Sequence, residues 1–296
     1  MRFSIVRSAI LALAASTSSA FVGPSNPTFR RMALSSAAST EALPFTKPDR
    51  VVRDILPTVY VYDHCPFCVR VRFALGVKNV KHRVYFMAND DVEVPTALVG
   101  KKIAPIMEWK EDDLVMAESM DIIKLVDADE RFGPTGTIAP ATDRSDLSAW
   151  QKSVRDLLRV LQRPRYVATG LLPEFQQLDG RHAFIKNHQM PPYAKDEWKN
   201  GTMEMSEKVA IYAEAMAKDP AGDIEELNRK LVELDDIIFS EYHCSPGGLS
   251  YDDVDLFARL RSITIIKDVT WPQKLRSYMD NMSELADVPL YDEMAL

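Results

Sequence analysis

Cys65 and Cys68 stand three positions apart in YVYDHCPFC, residues 60–68. Thiols at that spacing are open to three readings: a redox pair, half of a zinc site, or two unreactive cysteines. Zinc needs two further ligands. The remaining candidates are Cys244 and five histidines, and none forms a second C-x-x-C or a finger-type His pair, since His182 and His188 are six apart and His243 adjoins Cys244. No metal is expected. The choice between a redox pair and inert thiols rests with the elements that hold the two residues.

TVYVY (58–62) is β-branched and aromatic, and it follows Pro57 as a buried strand would. PFCVRVRFALGVKN then carries Phe67, Val71, Ala74 and Leu75 at helical spacing, with Gly76 and Asn79 near the stop. Further on, HRVYFM (82–87) reads as a strand and DVEVPTALVG as a short helix or turn ending at Gly100. PIMEW (105–109) and LVMA (114–117) read as two strands, and ESMDIIKLVDADE as a helix presenting Met120, Ile123 and Val126 or Asp127. The order β-α-β-α-β-β-α is that of an α/β thioredoxin-like domain, placed at 58–131. Gly133, Pro134, Gly136 and Pro140 mark a linker, 132–141.

Residues 142–296 show no strand-like alternation and predict an all-α helical-bundle domain. Leu147, Trp150, Val154, Leu157, Leu158 and Leu161 trace one helix, which Pro164 is expected to close. Ile224, Leu227, Leu231, Leu234 and Ile238 trace a second. In a third, Ser250 and Asp253 form a capping box ahead of Val254, Phe257, Leu260 and Ile263. Trp150 and Trp271 read as core residues. Residues 164–205, broken by Gly and Pro, give no definite structure.

Cys65 therefore lies where a strand turns into a helix. The free N–H groups and positive dipole end of a helix start stabilise a thiolate there, and Pro66 suits the first turn. Arg70 and Arg72 add positive potential if they face the site. Cys68, one turn further in, is expected to be the more buried and less nucleophilic thiol. His64 stands where a base would, but strand-end geometry points it to solvent as readily, and a minor part is expected, because a helix-terminal Cys needs no base to ionise. A pKa lowered from about 8.5 to about 5 raises the thiolate fraction some ten- to thirtyfold, but a Brønsted slope of about 0.4–0.5 removes most of that gain in attack. The benefit falls on Cys65 as a leaving group, which suits repeated exchange.

The chain has 296 residues, 46% hydrophobic and 27% charged, with net charge −7. That argues against nucleic-acid binding through a basic face, which rests mainly on phosphate neutralisation. Three cysteines cannot staple a fold of this size. The first forty residues are of another kind, with four arginines, no acid before Glu41 and many Ser and Ala. MRFSIVR, AILALAA and STSSA read as a secretory-type signal peptide, 1–20, too short in its apolar run to span a bilayer. Residues 21–57 read as a transit-like segment and tether. The tandem, with Phe21 after the cleavage site, resembles the bipartite plastid leader of algae with secondary plastids, which implies a plastid address; a plain secretory signal is the alternative. No stable membrane span is expected after leader removal.

VYDHCPFC, GVKN, NDDVEVPTALVGKKIAPI, ESMDIIKLVD and DDVDLFARLRSITIIKDVTWPQKLRSYMDNM together resemble the glutathione-transferase-like glutaredoxins of the bacterial glutaredoxin 2 type. The resemblance runs over most of 58–296. It implies a glutathione-dependent thiol–disulfide oxidoreductase acting on disulfide-bearing or glutathionylated proteins, with glutathione as co-substrate and a monomer as the expected state. Cys65 would attack, glutathione would resolve, and Cys68 would form the intramolecular disulfide with Cys65. A cis-proline matches Pro105, where the backbone of Ala104 would hold the glutathione cysteinyl amide. Glu118 and Ser119, at a helix start, match the pair that holds the γ-glutamyl end. Lys101 and Lys102 are within the same region and could meet a glutathione carboxylate. Two positions depart from the pattern: Phe67 replaces the usual tyrosine, and Ala104 replaces a common valine. The same motifs would serve a Cys-type glutathione transferase or dehydroascorbate reductase, or a non-enzymatic glutathione-holding or iron–sulfur-bridging protein.

Overall fold

The computed structural model describes residues 45–191, 193–217 and 221–296; the signal-peptide and transit readings up to residue 44 lie outside them. The strands are β1 (Thr58–Val61), β2 (Arg83–Phe86), β3 (Ile106–Trp109) and β4 (Leu114–Ala117), in sheet order β2-β1-β3-β4. β1 and β2 are parallel, joined through helix α1 (Pro66–Val77), while β3 runs antiparallel to both β1 and β4. Helix α2 (Glu93–Val99) links the two halves and α3 (Ser119–Ala128) follows β4. The α/β order expected from the sequence is the order observed.

Helix α1 is apolar nearly all round because it is central. It packs against α3 and also against two helices of the second domain, α9 (Tyr251–Leu260) and α10 (Gln273–Ala286). Gly76 makes that second contact possible. A Cβ built there would lie 1.7 Å from the carbonyl oxygen of Ala286, so the backbones meet without a side chain between them. Gly76→Ala is expected to force α1 and α10 apart and cost about 1–3 kcal/mol, the usual range for overpacking. A denaturant midpoint for the variant would check it; an unchanged midpoint would show that the two helices yield freely.

The second domain is helical throughout its described residues, with α4 (Ser145–Thr169), α5 (Leu178–Asn187), α6 (Asp196–Lys199), α7 (Met205–Ala217) and α8 (Ala221–Ile237) preceding α9 and α10. Leu227, Leu231, Leu234 and Ile238 are buried as their spacing predicts, and Ser250 with Asp253 closes the capping box at the head of α9. Trp150 is buried and donates its indole N–H to the Lys230 carbonyl at 2.6 Å; Trp271 is half-buried against the same core.

One expectation is overturned. Pro164 does not close α4, which runs on to Gly170 in the left-handed conformation. A helix-interior proline costs roughly 3 kcal/mol, but beyond it Arg165, Tyr166 and Val167 are buried, and α4 packs along its length on α7 and α8. Tertiary burial outweighs the lost bond. The stretch 164–205, without definite structure in the sequence reading, contains the end of α4, a 3₁₀ turn at Pro173–Phe175, α5 and the single turn of α6.

Candidate active site

The sheet register gathers the candidate residues at one end of the strands. Tyr60 pairs with Ile106 and Ile106 with Ala117, so the end of β1, the start of β3 and the end of β4 lie side by side. From those three ends come Cys65, the Ala104–Pro105 pair and the Glu118–Ser119 pair. The Ala104–Pro105 peptide bond is cis. Ser119 is buried at the first position of α3, and Glu118 precedes it at φ 73°, a left-handed backbone unusual for a residue with a side chain. The Glu118 carboxylate stays exposed, 3.5 Å from Lys101. Lys102 instead pairs with Asp90 across the turn before α2.

Cys65 is the N-cap of α1 and Cys68 lies fully buried behind it; both are free thiols. The Cys68 S–H is the largest influence lowering the Cys65 pKa. Burial opposes it, and the charge of His64 and the N–H groups of Cys68 and Phe67 add to the lowering, bringing Cys65 to about 6. Cys68 moves the other way, raised well above the usual thiol range by burial first and by the neighbouring Cys65 second. Its sulfur also receives the Tyr62 N–H at 3.4 Å. The two thiols are thereby differentiated: one ionises readily, and the other stays protonated and donates to it.

Arg70 and Arg72 do not supply the positive potential at Cys65. Arg70 is paired with Asp255 of α9, and Arg72 with Asp63. Both charges are spent on holding the domains and the β1–α1 turn together. Phe67 faces outward, nearly half exposed, with the Arg70 guanidinium 4.8 Å from its ring centre.

The basic group beside Cys65 is His64, and it does not point to solvent. Its ring is held among Tyr166, Phe175 and Phe184, with centroids 5.1–5.3 Å away. Its Nδ1 lies 2.6 Å from Glu174 Oε1, and its backbone N–H donates to the same oxygen at 2.9 Å. The Glu174 side chain is fully buried. Burial alone would lower the His64 pKa, but the Glu174 hydrogen bond and charge raise it; burial would raise that of Glu174, but His64 lowers it. Each group thereby favours the charged form of the other. Nothing in the sequence marked Glu174 beyond a single acid inside the apolar run LLPEF.

Removing the carboxylate charge without its acceptor oxygen is a direct check. Glu174→Gln is expected to let His64 shed its proton and raise the Cys65 pKa; a one-unit rise would cut the thiolate fraction at pH 6 about fivefold. The pH dependence of Cys65 alkylation reads this shift. An unchanged profile would show that His64 contributes no charge at the thiol.

Among the described residues no group of three or more His, Cys, Asp or Glu is placed to hold a metal ion, and no helix is long and apolar enough to cross a membrane. Cys244 is buried against Asp253, its N–H donating at 2.7 Å, and belongs to the core of the second domain.

A four-stranded thioredoxin-type sheet with a dithiol at the head of its first helix, backed by a helical domain, defines a thiol–disulfide oxidoreductase of glutathione-transferase-like architecture. Comparison with known proteins narrows this. Residues 146–295 match the family model for the glutaredoxin 2 C-terminal domain, and residues 59–135 match the glutathione S-transferase N-terminal domain. Glutaredoxin 2 of Escherichia coli K12 is 30% identical over 239 residues, which is 80% of this chain and 99% of that protein. The crystal structure of glutaredoxin 2 from Salmonella typhimurium in complex with glutathione superimposes with a TM-score of 0.67 at 29% identity, covering 82% of this chain and all of that one. A glutathione S-transferase of Ceriporiopsis subvermispora shares the fold at 11% identity and a TM-score of 0.52, over 79% of this chain and 98% of that one. The chain belongs to the glutaredoxin 2 family, whose members are glutathione-dependent oxidoreductases.

Proposed function

We propose that Cys65 is the attacking thiol and Cys68 the resolving thiol in the reduction of protein disulfides and glutathione mixed disulfides. The observation that carries this is the placement of two free thiols one helical turn apart, Cys65 partly exposed at the α1 N-cap with its pKa lowered and Cys68 fully buried with its pKa raised. With a glutathionylated protein, the Cys65 thiolate attacks the glutathione sulfur and the protein thiolate leaves and takes a proton. A second glutathione thiolate then attacks the mixed disulfide, forming glutathione disulfide and releasing Cys65 as the thiolate. With a protein disulfide, Cys68 gives up its proton and attacks the Cys65–protein bond, closing the Cys65–Cys68 disulfide that two glutathiones reopen. The low pKa of Cys65 speeds the step in which glutathione displaces it.

Glutathione would sit at this end of the strands. The backbone of Ala104 before cis-Pro105 offers an extended strand-like contact, and the start of α3 at Glu118–Ser119 offers N–H groups and an exposed carboxylate for the γ-glutamyl end. Support comes from the Salmonella relative, whose structure holds glutathione. The test is glutathione-dependent turnover of a glutathionylated peptide and of a protein disulfide by the wild type and by Cys68→Ser. Loss of protein-disulfide reduction alone supports the dithiol role. Indifference of both reactions to Cys68 would favour a one-thiol transferase or dehydroascorbate reductase.

We further propose that residues 1–57 address the protein to a plastid. The basic start, short apolar run, small-residue site and acid-free, Ser-rich continuation support this reading. A fluorescent reporter fused behind residues 1–57 would accumulate in the plastid; export from the cell would refute it.

A further inference from the structure

A cleft of about 500 Å³ runs away from the site between the two domains, starting at His64 and Pro66. Its far wall is one face of α4, where Lys152, Arg155, Arg159 and Arg163 follow at helical spacing, and Arg259 of α9 completes it. Among the described residues no Asp or Glu lines the cleft, in a chain whose net charge is −7. Five cations on one wall of an acidic protein is the reverse of what the composition would scatter there.

Two carboxylates pair with these cations and neutralise the wall only in part. Asp156 is shared between Arg155 at 3.5 Å and Arg159 at 3.0 Å, and Asp255 between Arg259 at 3.1 Å and Arg70. Arg163 donates to the carbonyl of Gln189, an uncharged acceptor. From Lys152 to Arg163 the face extends about 16 Å along the helix, the length of roughly five residues of extended chain. A small organic acid would meet only one end of it.

We infer that the cleft receives an acidic, extended segment of the disulfide-bearing polypeptide substrate, running from Cys65 along α4. The inference rests on the reading of Cys65 as the attacking thiol. A cleft of one sign walled by low-dielectric protein raises the local concentration and capture rate of oppositely charged partners about ten- to a thousandfold, and salt removes the effect. The cleft therefore selects substrates by the charge of the sequence around the cysteine.

The experiment uses short peptides of one length, each with a single glutathionylated cysteine flanked by acidic, neutral or basic residues. For the wild type, kcat/KM on the acidic peptide is expected to exceed that on the neutral one about tenfold or more at low ionic strength, the gap closing at about 0.5 M salt. In the double variant Arg155→Glu/Arg159→Glu the ratio should fall below one. Equal rates on acidic and neutral peptides in the wild type, or a ratio the double variant leaves in place, would overturn the inference. Should no peptide turn over, the thiol mechanism fails and the cleft is judged by fluorescence anisotropy of a labelled, cysteine-free acidic peptide. Salt-sensitive binding that the double variant abolishes upholds the cleft; absence of binding overturns it.

Discussion

A Cys65→Ser variant is expected to lose glutathione-dependent reduction of a mixed disulfide by at least about three orders of magnitude, although a second thiol remains one turn away. Cys68 cannot take over. It is fully buried, and that burial raises its pKa; the thiol form is a poor nucleophile. The two substitutions at Cys68 should then separate its roles. Cys68→Ser keeps an O–H donor toward Cys65, so reduction of a glutathionylated peptide should continue with little change in its pH profile. Cys68→Ala removes the donor that contributes most to lowering the Cys65 pKa, and the acid limb of the profile should move to higher pH. Steady-state rates across pH for the three variants make the measurement. Near-wild-type activity in Cys65→Ser would place the attack elsewhere.

The features that local sequence determines were legible, and those made by the meeting of the two domains were not. A strand, a C-P-x-C turn and a helix follow one another within twenty residues, so the position of Cys65 at the α1 N-terminus is a local property. The capping box at Ser250 and the apolar stripe of α8 are local in the same way. Pro164 misled because its cost is local while its compensation, the burial of Tyr166 and Val167, is tertiary. His64 misled for the same reason. Alone on a strand end it would face water, but Glu174 arrives 110 positions later from the 3₁₀ turn after α4, and encloses it. Asn89 and Gly180 hold that turn: the Asn89 N–H donates to the Glu174 carbonyl at 3.1 Å, and a Cβ at Gly180 would lie 2.6 Å from the same oxygen. The charge balance around the thiol was likewise hidden, since the arginines beside the motif proved to be neutralised by Asp63 and Asp255.

Arg261→Leu is expected to destabilise the protein by about 3–5 kcal/mol at neutral pH, the range for breaking a buried ion pair by removing one partner. Arg261 is 2% exposed. From the end of α9 it reaches the turn before Cys65, donating to the Asp63 backbone carbonyl at 2.8 Å and to its carboxylate at 3.1 and 3.3 Å, and on the other side to the Pro289 carbonyl and the Tyr291 hydroxyl at 2.7 Å each. One guanidinium thus ties together the sheet domain, α9 and the C-terminal segment. Burial pushes the Asp63 carboxyl up, but the charges of Arg261 and then Arg72, with the Tyr291 hydroxyl, bring it down to about 2. A native pKa below the unfolded value means that this stabilisation is complete above about pH 4 and is lost as pH falls through about 2. The gap between wild type and variant should therefore be widest at neutral pH and narrow across that interval in denaturant midpoints. An equal gap at both ends would assign the cost to packing and not to charge. Arg261→Lys should recover only part of the loss, because an ammonium restores the charge without the fork that spans Asp63, Pro289 and Tyr291. Since Asp63 lies two residues before Cys65, the same loss loosens the turn that sets the thiol at the head of α1.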